Sequence, residues 1–537
     1  DARDSLKMLD LEPTLQDYMC CPRCFEIYDL PSNSDDHPQT CTSQKGSAEE
    51  PCGACLTRLK PTFGKGPQIH PLHTYSYQRF GEWLGRLICR HEATLDLAKD
   101  WVLEPEREVW SDVWHAPALR QFMGPDDLPF FSKDTDEGRY AFGLFVDWFS
   151  PFWNKVAGKK FSVGVVFMVC LNLPPEIRYK LENLYVVAII PGPKEPSLDE
   201  INPMLRPIVD DLIRSWDSGF FFTRTPAHPR GRTCRSALVP LIADLPAARK
   251  TAGFLSHSGK RFCAYCGLSS DDCGNIDPAT WTSRTDEEHR KLADQWRELS
   301  TLAARESFAK QHGVRWSELL RLTYWKPILW TIIDIMHCIY LGLYKRHCWE
   351  IWGMGVKDAS GDGGDDPVAS RPDRTKVLGK EVLAEIRKDR DVTELPSWVE
   401  RVPLKLGDPS EGSLGADEWR ITCEVHLVIT LIRLWGHNTG RYHQLLENFM
   451  HLVTAGRYIS MRHASISMTD DYLDHMLKYL RGLKELFPEC ELRPYQHLAL
   501  HIPDFWKRFG PVRSWWSFPF ERYNRMMRKY NTNNHLG

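Results

Sequence analysis

Apolar residues change their period along this chain. Tyr140 to Phe149, Phe161 to Leu173 and Leu184 to Pro191 are β-branched or aromatic runs, bounded by Pro-Phe-Trp-Asn, Leu-Pro-Pro-Glu and Pro-Gly-Pro segments. Such runs between turn formers predict three strands. Helical spacing follows in Leu198 to Trp216, with Leu205, Ile208, Val209, Leu212 and Ile213 on one face. A further apolar run, Ser236 to Ala243, ends at Asp244. Three strands, a helix and another strand predict a compact α/β unit.

On either side the pattern differs. Residues 1–60 are rich in cysteine and turn formers, and residues 72–125 predict mostly helix, with Trp83, Leu84, Leu87 and Ile88 on one face, then Leu95, Leu97 and Val102. After about residue 270 the spacing is helical: Asp286 to Gln311, Trp330 to Gly353, Ala416 to Trp435, Arg441 to Gly456 and Thr469 to Phe487. The last is read as capped by Ser467, three residues before Asp470. Residues 355–375, rich in Gly, Asp and Ser, predict a flexible linker.

A chain of 537 residues, 42% hydrophobic and 26% charged, has the composition of a folded protein with a large core, which excludes disorder throughout. Its longest apolar stretch, Ile328 to Tyr344, carries Asp334 and His337, so no membrane span is expected. No basic-then-apolar signal opens it. A chain that begins at Asp1 and stops at Gly537 inside a helical pattern reads as part of a longer protein. The net charge of −3 makes any nucleic-acid surface a local patch rather than a bulk property.

Sixteen cysteines are too dilute for a disulfide scaffold, and six of them fall in Cys-x-x-Cys pairs. Cys21-Pro-Arg-Cys24 and Cys52-Gly-Ala-Cys55 lie 27 residues apart, with His37 and Cys41 between. Four tetrahedral zinc ligands can be drawn from that set in several ways, and free reduced thiols are the alternative. Cys263-Ala-Tyr-Cys266 is a third pair without a second to close it. Its best partners are His497 and His501, whose i, i+4 spacing sets both imidazoles on one helix face.

Asp147 interrupts the apolar run Phe145 to Phe149, and Asp244 terminates Leu238 to Ala243. Burying a carboxylate in a strand is costly unless a cation or hydrogen bonds compensate. The pair could meet across a sheet and hold a divalent metal, or each could cap the following turn. Glu521 stands 20 residues after His501, and Arg522, Arg525, Arg528 and Lys529 follow it on or near one side of a predicted helix. That stripe suits phosphates, or is a solvated face.

Phe145 to Asn154, Leu173-Pro-Pro-Glu176, Ile190 to Pro196, Ala243 to Ala247 with Gly253-Phe254, the Cys263–Cys266 knuckle, Asp334-Ile-Met-His337 and Gly510 to Asn524 together resemble the transposases of CACTA (En/Spm-like) DNA transposons of the fungal type, from about residue 20 to 537. The catalytic core is also similar to the V(D)J recombinase and its Transib-type relatives. The resemblance implies an α/β RNase H-like core interrupted by a large all-α insertion, with an N-terminal zinc-binding region. Its expected boundaries are 1–60 (cysteine-rich), 61–135 (helical linking region), 136–268 (core carrying both aspartates), 269–493 (insertion) and 494–537 (return segment).

The same resemblance implies a catalytic triad of Asp147, Asp244 and Glu521 holding two Mg²⁺ or Mn²⁺ ions. It implies one structural zinc on Cys263, Cys266, His497 and His501, and a second on Cys21, Cys24, Cys41 and Cys52, with Cys55 departing from the family pattern and left as the alternative ligand. Asp334 and His337, taken as three apart on one apolar helix, form a recurrent motif, either catalytic or orienting the core. The expected function is metal-dependent strand cleavage at transposon ends and strand transfer into target DNA. Arg522, Arg525, Arg528 and Lys529 would contact DNA, and the protein would act as a homodimer or higher oligomer in the nucleus. The alternatives are a transposase-derived binding protein that has lost its chemistry, and a zinc-stabilised interaction module.

Overall fold

In the computed structural model, strand pairing joins eight segments between Leu15 and Ile242 into one sheet. The structure describes residues 13–33, 36–62, 65–151, 161–354, 376–399, 401–404, 406–408 and 414–529; the linker expected at 355–375 lies outside them. The chain divides into two units. One comprises residues up to Asp272, Thr280–Asp334 and the stretch from Lys507 onward; the other comprises Cys273–Ala279 and Ile335–Trp506.

The first unit is mixed α/β. Its strands are β1 (Leu15–Cys20), β2 (Ile27–Asp29), β3 (Thr57–Thr62), β4 (Lys65–Pro71), β5 (His73–Gln78), β6 (Gly138–Phe149), β7 (Val163–Cys170), β8 (Leu184–Ile190), β9 (Phe220–Phe222) and β10 (Arg232–Ile242). Eight of them form a sheet in the order β2-β1-β5-β8-β7-β6-β10-β9, while β3 and β4 form a separate hairpin. β6, β7 and β8 run antiparallel in succession, and β10 lies parallel to β6 on its other side. β6 and β7 are apolar almost throughout because both faces are covered.

The helices of this unit include α1 (Phe80–Asp96), α2 (Asn202–Asp217), α3 (Leu245–Ala252), α4 (Asp286–Glu298) and α5 (Leu302–His312). α1 packs on one face of the sheet: Phe80 meets Phe142 edge-on at 5.3 Å, and Trp83 lies 4.8 Å from Tyr185. α2 is tied to β5 through Tyr75, whose hydroxyl donates to the Met204 carbonyl at 2.5 Å, and through Tyr77, which donates to Asp211 at 2.6 Å.

Residues 73–78 were expected to be helical and are β5. Tyr75 and Tyr77 alternate with more exposed neighbours, a period-two pattern that the helical spacing of the residues after Phe80 masked. β5 joins the cysteine-rich segment to the core, pairing with β1 on one side and β8 on the other.

The second unit is helical, and contains α6 (Arg441–Ser460), α7 (Ile466–Leu486) and α8 (Pro494–Ala499). Asn448 on α6 donates to the Tyr479 carbonyl on α7 at 2.8 Å. Gly456 is required where Tyr344 crosses α6, since a Cβ there would stand 1.8 Å from the Tyr344 hydroxyl. The residues capping α7 differ from expectation: Ser465, not Ser467, accepts from the Met468 amide, the position from which a side chain reaches the third helical N–H. The expected helix from Trp330 is also broken. Pro327–Trp330 makes one turn, and wide helical turns occupy Met336–Tyr344 and His347–Ile351. Asp334 therefore lies ahead of the helix that carries His337 rather than on it. No helix among the described residues is long and apolar enough to cross a membrane.

Candidate active site

Parallel pairing sets two aspartates at the same level. Phe145 of β6 is in register with Ile242 of β10, and Asp147 and Asp244 each follow two residues later. Asp147 is thus on the face of β6 that carries Phe145, opposite Phe142 and α1. Asp244 has left the sheet and opens α3, where its Oδ1 accepts from the Ala247 amide at 2.7 Å. Capping leaves a carboxylate spare acceptor capacity, so the turn-capping and cation-binding readings are compatible at this residue.

Glu521 reaches the site on α9 (Phe518–Met527), in its first turn. Phe520 is fully buried and stacks on Phe145 at 4.3 Å with the rings 8° from parallel, and Tyr179 closes on its edge at 5.8 Å. The start of this helix is held by Asp334, whose Oδ1 accepts from the buried Ser517 amide at 3.1 Å. One turn beyond Glu521, Asn524 donates from Nδ2 to Asp147 Oδ2 at 2.5 Å.

The electrostatics follow from that convergence. Burial, then the charges of Glu521 and Asp244, push the Asp147 carboxyl up to about 8. Like charges gathered in a poorly hydrated site favour protonation, and a cation would relieve the same strain. The oxygen-only donor set suits Mg²⁺ or Mn²⁺ rather than zinc. Asn524 adds a second sign of fit: it is 1% exposed, and its Oδ1 has no hydrogen-bond partner among the described residues.

Two features of the surroundings were missed from the sequence. Lys250, on α3, lies over the Trp148 ring at 4.1 Å and pairs with Glu195 at 3.5 Å, while burial lowers its ammonium pKa. Arg249 is buried beside it and donates to the carbonyls of Phe262 at 2.7 Å and Arg261 at 3.2 Å. Only the proximity of both bases to Asp244 in the sequence could have signalled them. Arg522, Arg525, Arg528 and Lys529 are exposed, and Arg528 lies over Phe149 at 5.7 Å.

The cysteines fall into separate groups. Cys21, Cys24, Cys41 and Cys52 bring their Sγ atoms within 4.8 Å of one another. The Arg23 amide donates to Cys21 Sγ at 3.4 Å, and Tyr28 Oη lies 3.2 Å from Cys41 Sγ. Hydrogen bonding with Cys24 lowers the Cys21 thiol pKa and raises that of Cys24. Cys55 is exposed, with Sγ 3.2 Å from the Thr57 carbonyl, and His37 contacts the Pro31 carbonyl instead, so neither joins that group.

In the first unit, Cys263 and Cys266 are buried, and Cys263 Sγ accepts from the amides of Tyr265 at 3.3 Å and Cys266 at 3.4 Å. These bonds are those of a knuckle preformed to present thiolates. In the second unit, His497 and His501 are buried with their Nε2 atoms 3.1 Å apart, a close approach that suits two ligands of one ion.

No curated protein matches the chain. Residues 122–301, which include Asp147, Asp244, Cys263 and Cys266 but end before Glu521, match the model of the transposase family tnp2, and that match supports a transposase family for this protein.

Proposed function

We propose that the protein is a DDE-type DNA transposase of the CACTA kind, in which Asp147, Asp244 and Glu521 hold two Mg²⁺ or Mn²⁺ ions for phosphoryl transfer. The observation that carries this reading is the parallel register of Phe145 with Ile242, which sets Asp147 and Asp244 level, beside a helix that delivers Glu521. The strand order β8-β7-β6-β10, antiparallel except for the last pair, supports an RNase H-like core.

Such ions, when bound, polarise the scissile phosphate and lower the pKa of the attacking water or 3′-hydroxyl. The chain does the rest. Asp147 and Asp244 are fixed by strand register and the α3 cap, and Glu521 by Phe520 and Asp334. Arg522 and Arg525 on the exposed side of the same helix, with Arg528 and Lys529 just past its end, hold the DNA phosphates. Strand cleavage at transposon ends and strand transfer into target DNA are the reactions proposed, by a homodimer or larger oligomer in the nucleus.

Zinc is proposed as structural. One ion takes Cys21, Cys24, Cys41 and Cys52, supported by the convergence of their sulfurs. A second takes Cys263, Cys266, His497 and His501, supported by the preformed knuckle and the facing imidazoles.

The test is nicking of DNA carrying transposon ends in Mg²⁺ or Mn²⁺, comparing wild type with Glu521→Gln. Metal-dependent nicking lost in the variant, with DNA binding retained, is expected. A wild-type chain that binds DNA but never nicks it would favour a transposase-derived binding protein.

A further inference from the structure

The carboxylate triad leaves one buried polar group at the site without a role. Asn524 is one turn after Glu521, so both side chains emerge on the same face of α9. Its amide is asymmetric in its surroundings: Nδ2 donates to Asp147 Oδ2 at 2.5 Å, while Oδ1, buried, has no partner among the described residues. A buried acceptor left unmade costs about 1–3 kcal/mol. The two neighbours whose charges act most on Asp147, Glu521 and Asp244, are themselves acceptors when ionised. Rotating the amide would set Oδ1 against Asp147 and lose the bond from Nδ2. The missing partner of Oδ1 is therefore electropositive, and a cation held by the triad meets that need.

We propose that Asn524 is a fourth oxygen ligand of the divalent-cation site, its Oδ1 binding the ion while its Nδ2–H holds Asp147 in place. The inference rests on the triad being a metal site. Amide oxygens are ordinary ligands of hard divalent ions, so the chemistry is consistent with the carboxylates beside it. Two functions on one amide also make the residue specific: Asp would keep the oxygen and lose the donor, and Leu would keep the volume and lose both.

Mn²⁺ binding to the full chain, followed by electron paramagnetic resonance at fixed pH, tests this for wild type, Asp147→Asn, Asn524→Leu and Asn524→Asp. Loss of Mn²⁺ affinity by about 10- to 100-fold in Asn524→Leu, with affinity kept in Asn524→Asp, is the expected result. Wild-type affinity in Asn524→Leu overturns the ligand role, and so does an equal loss in both variants, which would leave Asn524 only as the donor to Asp147. If Asn524→Leu does not fold, Asn524→Asp decides alone: retained binding supports the ligand, lost binding overturns it. Unchanged binding in Asp147→Asn would instead overturn the triad as a metal site, an outcome separate from the failure of Asn524.

Discussion

The rings of Phe145 and Phe520 stack at 4.3 Å, and the acid at each end of that contact follows within two residues: Asp147 on the strand, Glu521 on the helix. A contact between residues 375 positions apart thus sets the distance between two acids. Phe520 is fully buried, and replacing such a phenylalanine by alanine costs about 3–5 kcal/mol. Phe520→Ala is expected to lower the melting temperature and to lose DNA nicking. Nicking retained at wild-type rate in a destabilised but folded variant would show that Glu521 does not depend on the stack.

Asp334 holds the first turn of the Glu521 helix through the Ser517 amide. Its removal leaves a buried N–H unmade and costs about 1–3 kcal/mol. Asp334→Ala should therefore weaken thermal stability and reduce nicking while leaving zinc content unchanged. Asp334→Asn keeps an acceptor oxygen and should recover much of the stability, which a catalytic role for the carboxylate would not allow for the activity.

The Asp147 carboxyl, pushed up to about 8 by burial and two neighbouring acids, binds a proton in the folded state that the unfolded chain releases near pH 4. Stability falls wherever the folded state binds more protons than the unfolded one. The melting temperature of the metal-free protein should thus decline between about pH 4 and pH 8, and Asp147→Asn should flatten that decline. Mn²⁺, competing with the same proton, should bind more tightly as pH rises through the window.

The four-sulfur cluster makes a discriminating prediction about zinc. Cys41→Ser should lower zinc content by about one ion per chain and destabilise β1 and its neighbours. Cys55→Ser, at an exposed position outside the group, should change neither. Equal losses in both variants would put Cys55 back among the ligands.

The strands from Tyr140 to Ala243 were legible because β-branched and aromatic runs between proline-rich turns have few other uses, and their edges fall within a few residues of β6, β7, β8 and β10. Asp147 and Asp244 stood out as acids in apolar runs. Their level placement did not, since register depends on pairing between residues such as Phe145 and Ile242, about 97 positions apart. Tertiary context also decided Asp334, which apolar spacing put on a helix and which instead caps another element 183 residues away. Lys250 was marked only by its proximity to Asp244, and Asn524 only as the last residue of the Gly510–Asn524 stretch. One is an ordinary helix base and the other a polar residue in a basic helix, and only the neighbours brought by the fold distinguish them. The extension of the sheet through β1 and β5 was hidden by short strands whose alternation merges into flanking patterns.

The most direct test of the account is Mn²⁺ binding to the purified protein, wild type against Asp147→Asn, with zinc measured by elemental analysis on the same samples. Zinc content should be equal in both, about two ions per chain, and Mn²⁺ affinity should collapse only in the variant. Mn²⁺ binding that is absent from the wild type, or unchanged by the substitution, would contradict the assignment of Asp147, Asp244 and Glu521 as the catalytic metal site.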